Sequence, residues 1–504
     1  MNRVDPPMNI LDQGVGEGSP VQRWYDGRTV LVTGGTGFMG KVLVEKLLRS
    51  TSVAVIYLLV RPKKGKSVQQ RFSELLQDAI FSKLKDKDIR RRVIAVEGDT
   101  SALGLGLSPK DAKLLREEVE IVFHSAATVR FDEALSQAIA TNVRGTKFVI
   151  ELARECPRLK AFVHISTAYA NCTQNEIEED FFEPPISGDK AISLSECLTE
   201  KQLSEISTTL CGEYPNTYAF TKAIAENVIN VYGKGLPAVV FRPSIVVATA
   251  REPIYGWIDN MYGPTGVQCG VGAGLLRTFE VNEKCAADLV PVDMAVNAII
   301  ASAWDVRDTK EMRVYNYVSS CQNPIYWGQF IEVALRHGRD NPTVKAIWWY
   351  TISTTKVHLL YLMYQWLLHL IPALCIDMFL VVTGKKPKLW SVYKKVHKFT
   401  KVITYFSKRQ WLFHNDRMIR LWDSLDPQDK EIFNFDISAL DWDDFLKNTI
   451  TGLRCNFFKD KPDTLPAAKR KQFMFFIVHQ LLKFLLIGGV IWLFWKIFST
   501  VLSI

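Results

Sequence analysis

The sequence predicts an α/β chain: a Rossmann-type doubly wound parallel sheet, then a mostly helical C-terminal domain and a C-terminal transmembrane helix. Three observations lead there. A β-branched run at 29–32, TVLV, passes through TGGTGFMG into the amphipathic stretch KVLVEKLLRS. Short apolar runs recur at 53–60, 93–97, 120–123, 160–165 and 238–241, separated by helix-length segments. Such alternation is the pattern of βαβ units on a parallel sheet. The stretch from Phe473 to Ile504 is almost wholly apolar.

Composition bounds the rest. The chain has 504 residues, 48 % hydrophobic and 23 % charged, with 28 Phe, 13 Trp and 16 Tyr. That is enough apolar material for a large core, and it excludes a disordered or collagen-like chain. A net charge of +9 is mild over this length. It suits anionic cofactors or membrane surfaces, and no nucleic-acid partner is expected. The nine Cys form no CxxC pair and no His cluster lies near them. Neither a metal site nor a disulfide framework is expected, and a reducing compartment fits. We divide the chain into a flexible arm (1–23), a dinucleotide-binding domain (24–340), a helical domain (341–465), and a basic flank with a membrane anchor (466–504).

In chain order, the first strand and helix carry the first candidate site. Gly34, Gly37 and Gly40 lie between them, with Thr33, Phe38 and Met39. Glycines at such a turn let backbone N–H groups approach a pyrophosphate, and the helix N-terminus adds a favourable dipole. The second strand ends at Arg61, with Lys63 and Lys64 behind it. Folds that bind NAD carry an acid about 20 residues past the glycines to hold the ribose 2′-hydroxyl. Cations there suit a 2′-phosphate instead, so Arg61 and Lys64 point to NADPH. The third strand runs into Gly98-Asp99-Thr100, where Asp99 is placed for the adenine edge. The fourth ends in His124-Ser125-Ala126-Ala127, whose small residues let the strand end lie against a cofactor. His124 is read as a packing residue. Asn142 follows on the next helix.

The fifth strand ends in Ser166-Thr167-Ala168, and Tyr218-Ala-Phe-Thr-Lys222 comes later. A YxxxK pair puts Tyr and Lys on one helix face, one turn apart. A neighbouring ammonium lowers a Tyr pKa from about 10 toward neutral. A hydroxyl from Ser166 or Thr167 can bond the same substrate oxygen, giving an acid and an oxyanion donor beside a hydride source. The sixth strand ends in Arg242-Pro243, which complete the cofactor candidates. Asp293, in VPVD, is read as orienting its domain rather than performing chemistry.

With TGGTGFMG, GDT, HSAAT, STAY, YAFTK, RPSIV and VPVD in place, residues 24–300 resemble the extended short-chain dehydrogenase/reductase superfamily. The resemblance implies Tyr218 as proton donor. It implies Lys222 as the group that lowers the Tyr pKa and binds the nicotinamide ribose. It implies Thr167 or Ser166 as the orienting hydroxyl, with Thr167 preferred because Ala168 follows. GWIDNMYGPTGV at 256–267, and a Trp-rich region past residue 340 with WLFHN at 411–415, extend the likeness. The layout is similar to alcohol-forming fatty acyl-CoA reductases of the animal type. That likeness implies NADPH-dependent reduction of a long-chain fatty acyl-CoA to a fatty alcohol, by two hydride transfers with CoA released and the aldehyde bound between them. A homodimer is common in this fold. The alternative is a membrane-bound 3β-hydroxysteroid or sterol dehydrogenase of the same superfamily. Arg61 and the long second domain weigh against it. Trp411, Phe413, Phe433 and Trp442 are read as core.

The apolar window 484–504 has the length for one crossing, since about 20 helical residues span about 30 Å of hydrocarbon. Lys469, Arg470 and Lys471 precede it, and basic residues favour the cytosolic side. The expectation is a C-terminal anchor in the endoplasmic reticulum or peroxisome membrane, with the catalytic mass in the cytosol. A second apolar region, 346–383, is interrupted by Lys356, His358, His369, Pro372 and Asp377. It reads as a membrane-facing or substrate-facing helical hairpin. YKKVHKFTK at 393–401 reads as a solvated basic face, with a membrane-surface patch as the sharper alternative.

Overall fold

The structure, a computed structural model, describes residues 18–63 and 65–502. Lys64 and residues 1–17 of the expected arm lie outside the described residues. Seven strands form the central sheet: β1 (Thr29–Thr33), β2 (Val55–Val60), β3 (Val93–Glu97), β4 (Ile121–His124), β5 (Ala161–Ile165), β6 (Ala238–Pro243) and β7 (Arg313–Tyr317). Every pairing is parallel, in the order β7-β6-β5-β4-β1-β2-β3. The chain winds outward from β1 to β3, returns to β4 and winds outward the other way. β1, β5 and β6 are buried along their whole length. That is why they read as unbroken apolar runs rather than alternating ones.

Residues 18–23 are not a loose arm. Helix α1 (Pro20–Tyr25) starts from a Ser19 cap closed by Gln22. The Ser19 hydroxyl and the Val21 N–H donate to the Asp429 carboxylate. The Tyr25 hydroxyl donates to the Ile300 carbonyl (2.9 Å). Burial of Val21 and Tyr25 offsets the ordering of this segment.

The chain forms two compact units. The first holds residues up to Tyr255 with Ala286–Ile325 and Gln410–Leu440, and carries the sheet. The second holds Gly256–Cys285, Tyr326–Arg409 and Asp441–Ile504. They interleave along the chain, so a single boundary after residue 340 does not describe them. Segment 410–440 belongs with the sheet, where Trp411, Phe413 and Phe433 are buried. The Trp411 indole donates to the Cys172 carbonyl (3.0 Å). Trp442, in the second unit, is only half-buried.

The second unit is mainly helical, with helices Gly263–Gly272, Trp327–Asp340 and Trp442–Gly452. Gly256 and Gly452 let two backbones cross. A Cβ on Gly452 would lie 1.8 Å from the Gly256 carbonyl oxygen. Two helices, His358–Val382 and Pro462–Thr500, are long and apolar enough to cross a membrane. The hairpin expected inside 346–383 is instead one continuous helix. Pro372 cannot supply an N–H and crowds the preceding turn. A π-helical turn at Trp366–Leu370 absorbs this, so the helix continues. The return arm is the basic helix Leu389–Ser407.

Candidate active site

The candidate residues gather at the C-terminal ends of β1 and β4, where the winding direction reverses. Open α/β sheets bind ligands at such a switch point. Between β1 and α2 (Phe38–Ser50), Gly34 has φ +74°. A Cβ there would lie 2.7 Å from the Ala126 nitrogen. A Cβ on Gly40 would lie 2.3 Å from the Gly34 carbonyl oxygen. Helix α2 starts at Gly37 with no side-chain cap, so its first turn, with Phe38 and Met39, presents backbone N–H groups to an anion. The Ser125 N–H donates to the Thr33 carbonyl (3.2 Å), and the Ala126 N–H to Thr33 Oγ1 (3.2 Å). These bonds close the Ser125-Ala126-Ala127 segment onto the glycine turn.

At the end of β2, Arg61 is exposed and its Nη1 lies 3.5 Å from Asp99 Oδ2. Asp99 Oδ1 accepts from the Ser101 N–H (2.9 Å) and hydroxyl (2.8 Å). Burial pushes the Asp99 carboxyl up, but the Ser101 bonds and Arg61 outweigh it and hold the carboxyl below its ordinary value. Thr100 is buried beside it. A second guanidinium stands here. Arg71, on α3 (Val68–Leu76), donates to Thr36 Oγ1 (3.1 Å) and to the Arg61 carbonyl. The sequence reading passed over Arg71 because it lies in a separate helix beyond the lysines.

Helix α4 (Thr217–Tyr232) is capped by Asn216, whose Oδ1 accepts the Ala219 N–H (2.9 Å). Tyr218, Lys222 and Glu226 recur every fourth residue along one face. Lys222 is buried, and its Nζ donates to the Ile165 carbonyl (2.7 Å) at the end of β5. Burial pushes its pKa down to about 8, against the pull of Glu226. Burial also pushes the Tyr218 phenol well above its ordinary value, and the Thr167 hydroxyl offsets this only in part. The lowered Tyr218 pKa expected from the ammonium is therefore not seen, since Lys222 is turned into the main chain of β5.

The two candidate hydroxyls face different partners. Ser166 Oγ donates to Glu226 Oε1 (2.5 Å). Thr167 is hydrogen-bonded to Tyr218, and its Oγ1 accepts the Tyr169 N–H (3.3 Å). Arg242, expected among the cofactor residues, is bonded inside the protein instead. Its fully buried guanidinium grips Glu226 through Nε (2.9 Å) and Nη2 (2.7 Å). It also donates to the carbonyls of Glu178 (2.9 Å) and Asp180 (2.8 Å). With its donors spent inside the protein it serves the fold, and Pro243 beside it closes β6 within the sheet. Asn142 is likewise spent. It lies in a π-helical turn, accepts the Thr128 N–H (2.9 Å), and donates to the Thr128 carbonyl (3.2 Å) and Thr221 Oγ1 (3.0 Å). It ties the segment after β4 to α4. His124 is buried between Thr33 (2.7 Å) and Thr146 (2.9 Å). Burial, with Lys222 adding to it, pushes its pKa down to about 3, so it is a neutral packing residue. Asp293 accepts the N–H groups of Ala250, Arg251 and Glu252 (2.8, 2.8 and 3.0 Å), which is the orienting role read from VPVD.

Two family models match the chain, both described as male sterility protein, at residues 32–299 and 368–460. The Drosophila melanogaster protein "Fatty acyl-CoA reductase wat" is 44 % identical over 473 residues, covering 93 % of this chain and 92 % of that protein. The Xenopus laevis "Fatty acyl-CoA reductase 1" is 38 % identical, covering 89 % and 88 %. The chain belongs to the fatty acyl-CoA reductase family. As a member of that family it is an oxidoreductase, and its Rossmann-type half binds a nicotinamide cofactor. The crystal structure of the terminal R domain from the myxalamid PKS-NRPS pathway has the same fold. It matches with a TM-score of 0.57 at 21 % identity, over 86 % of this chain and 92 % of that one.

The residues of this fatty acyl-CoA reductase family member suit the dinucleotide. Gly34 and Gly40 let the turn close against the backbone of Ser125-Ala126 and of Gly34 itself, where any Cβ would clash, and the first turn of α2 has no side-chain cap, so its N–H groups remain for an anion. The sequence reading missed Glu226. Its signal was present, because Glu226 is the one acid in α4 and lies one turn past Lys222 on the face of the YxxxK pair.

Proposed function

We propose that the chain uses NADPH to reduce a long-chain fatty acyl-CoA to a fatty alcohol by two hydride transfers, releasing CoA and holding the aldehyde between the steps. The likeness over almost the whole chain to proteins named fatty acyl-CoA reductases carries this reading. The site supports it part by part. Gly34, Gly37, Gly40 and the α2 terminus would hold the pyrophosphate. Arg61, joined by Arg71, would hold the 2′-phosphate, and Ser125-Ala126-Ala127 leave room beside the ring.

Bound NADPH supplies the hydride. Thr167 and Tyr218 donate hydrogen bonds to the substrate carbonyl oxygen as charge builds on it, and one such donor is worth about 2.7–4 kcal/mol in comparable sites. CoA leaves as the thiolate. In the second reduction Tyr218 protonates the alkoxide. A phenol pushed up by burial stays protonated at neutral pH, which suits an acid rather than a base. Lys222 lies one turn behind, and Glu226 favours its charged form. The C-terminal helix would anchor the chain in the endoplasmic reticulum or peroxisome membrane with the catalytic mass in the cytosol, where acyl chains of low solubility collect.

Tyr218→Phe tests the assignment. Turnover is expected to fall by about 100-fold or more, the usual worth of a positioned acid. NADPH binding, followed by its fluorescence, is expected to stay nearly unchanged. Normal turnover in the variant would remove Tyr218 from this role.

A further inference from the structure

Helix His358–Val382 and helix Leu389–Ser407 run antiparallel, side by side. Asp377 accepts the N–H groups of Lys388, Leu389 and Trp390 (2.9, 3.0 and 2.8 Å). His369 Nδ1 lies 3.1 Å from His397 Nε2, and its ring stacks on Tyr393 with centroids 4.7 Å apart. Further down, the Tyr361 hydroxyl lies 3.4 Å from Thr400 Oγ1. The arms are thus joined at three levels, near the turn, at the middle and near the base.

They differ in chemistry. The first arm exposes apolar side chains over much of its surface: Leu359, Met363, Leu367, Ile371, Leu374 and Met378 form one row, each at least 45 % exposed, and Trp366, Ile376 and Phe379 extend it. The turn and second arm carry Lys385, Lys386, Lys388, Lys394, Lys395, Lys398 and Lys401, all on the exposed surface. The one acid in 358–407 is Asp377, already engaged by three N–H groups.

By length and composition the first arm is a candidate span. The pairing argues otherwise. If the first arm crossed a bilayer, the second would be carried in with it, and Lys394, Lys395, Lys398 and Lys401 would enter hydrocarbon, where charged side chains are strongly disfavoured. We infer that the pair lies in the membrane plane. The exposed apolar side chains of the first arm sink to the headgroup–acyl boundary, and the lysines of the turn and second arm meet anionic phospholipid headgroups. The occupant of this surface is therefore a bilayer rich in anionic lipid, contacted in addition to the C-terminal helix. The inference is independent of the reaction catalysed.

The full chain serves as the test. The exposed Cys197, Cys321, Cys375 and Cys455 and the half-buried Cys211 are changed to Ser. With only the buried Cys156, Cys172, Cys269 and Cys285 left, one accessible cysteine is placed by Leu367→Cys, Met378→Cys or Lys386→Cys. The chain is added to preformed phosphatidylcholine–phosphatidylserine vesicles. An environment-sensitive dye at 367 or 378 is expected to become shielded at similar, shallow depth. Lys386→Cys is expected to stay reactive to an impermeant maleimide outside. Lys394→Glu, Lys395→Glu and Lys401→Glu together are expected to cut the dye response at 367 by about tenfold or more while the chain still cosediments, since each basic residue near an anionic surface adds to its attraction. Lys386→Cys that reacts only after detergent would show a crossing helix and overturn the inference. So would dyes that stay in water, an equal response on pure phosphatidylcholine, or shielding without lipid in a dimer.

Discussion

Glu226 ties together residues that the sequence shows only separately. It accepts from Ser166, from Asn171 Nδ2 (3.2 Å) and from Arg242, and it favours the charged form of Lys222. Its effect has a pH signature. Burial lowers the folded-state pKa of Lys222 to about 8, against about 10.4 in an unfolded chain. Between those values the unfolded chain binds more protons. Lys222 therefore costs stability below pH about 8, and that cost is relieved as pH rises. We place the Lys222 ammonium on the nicotinamide ribose, so activity runs the other way, because that charge is lost over the same range. The kcat/KM profile is expected to fall above pH about 8. Glu226→Gln is expected to move that fall to lower pH. It is also expected to cost about 3–5 kcal/mol of stability, because buried Arg242 loses its countercharge. A profile flat into the alkaline range, or unmoved by Glu226→Gln, would contradict this role for Lys222. Tyr218, Lys222 and the glycines were legible because spacing along a helix or turn determines their relation. Only the resemblance favoured Thr167 over Ser166, because neighbours at a strand end point to opposite sides and only the packed sheet shows which side holds Tyr218. Arg242 was misread because an arginine beside a strand end looks the same in sequence whether it meets a phosphate or a buried carboxylate.

At the scale of elements, strands buried on both faces were the legible part. β3 has the expected ends, and β1, β2, β4, β5 and β6 shift by no more than two residues. β7, RVYNY, was missed because its Arg and Asn break the apolar run. The Asn316 side chain is nonetheless satisfied inside, donating to the carbonyls of Ile177 (3.1 Å) and His414 (2.9 Å). Pro372 suggested a break that the π-helical turn removes. The β2 end carries a prediction. Arg61→Asp is expected to lower the preference for NADPH over NADH by about tenfold or more, about 1.4 kcal/mol. Parallel titrations with the two cofactors check it, and an unchanged ratio would leave the 2′-phosphate without its main partner.

For the whole molecule, the order of helices along the chain says nothing of which unit each joins. Segment 410–440 returns to the sheet because its aromatic side chains are buried there. The Tyr317 hydroxyl donates to the Phe435 carbonyl (2.9 Å), and the Trp422 and Phe435 rings lie 5.0 Å apart. Nor does sequence show how much of the C-terminal helix belongs to the second unit. Lys471 Nζ donates to the Val344 carbonyl (2.8 Å), Gln472 Nε2 to the Trp348 carbonyl (3.2 Å), and the Trp348 indole to His479 Nδ1 (3.3 Å). Past residue 480 the described side chains are exposed. A chain ending after Gln480 is expected to keep its thermal stability yet fail to pellet with neutral phosphatidylcholine membranes. Full retention on those membranes would move the anchor elsewhere.

The central claim is a four-electron reduction at one site, and its most direct measurement is NADPH consumed per CoA released, with purified full-length chain in detergent and a long-chain acyl-CoA. Two NADPH per CoA, with fatty alcohol as product, is the expected result. One per CoA with free aldehyde would show that the reaction stops at the first reduction. No consumption, with sterol oxidised by NAD instead, would contradict the acyl-CoA reading.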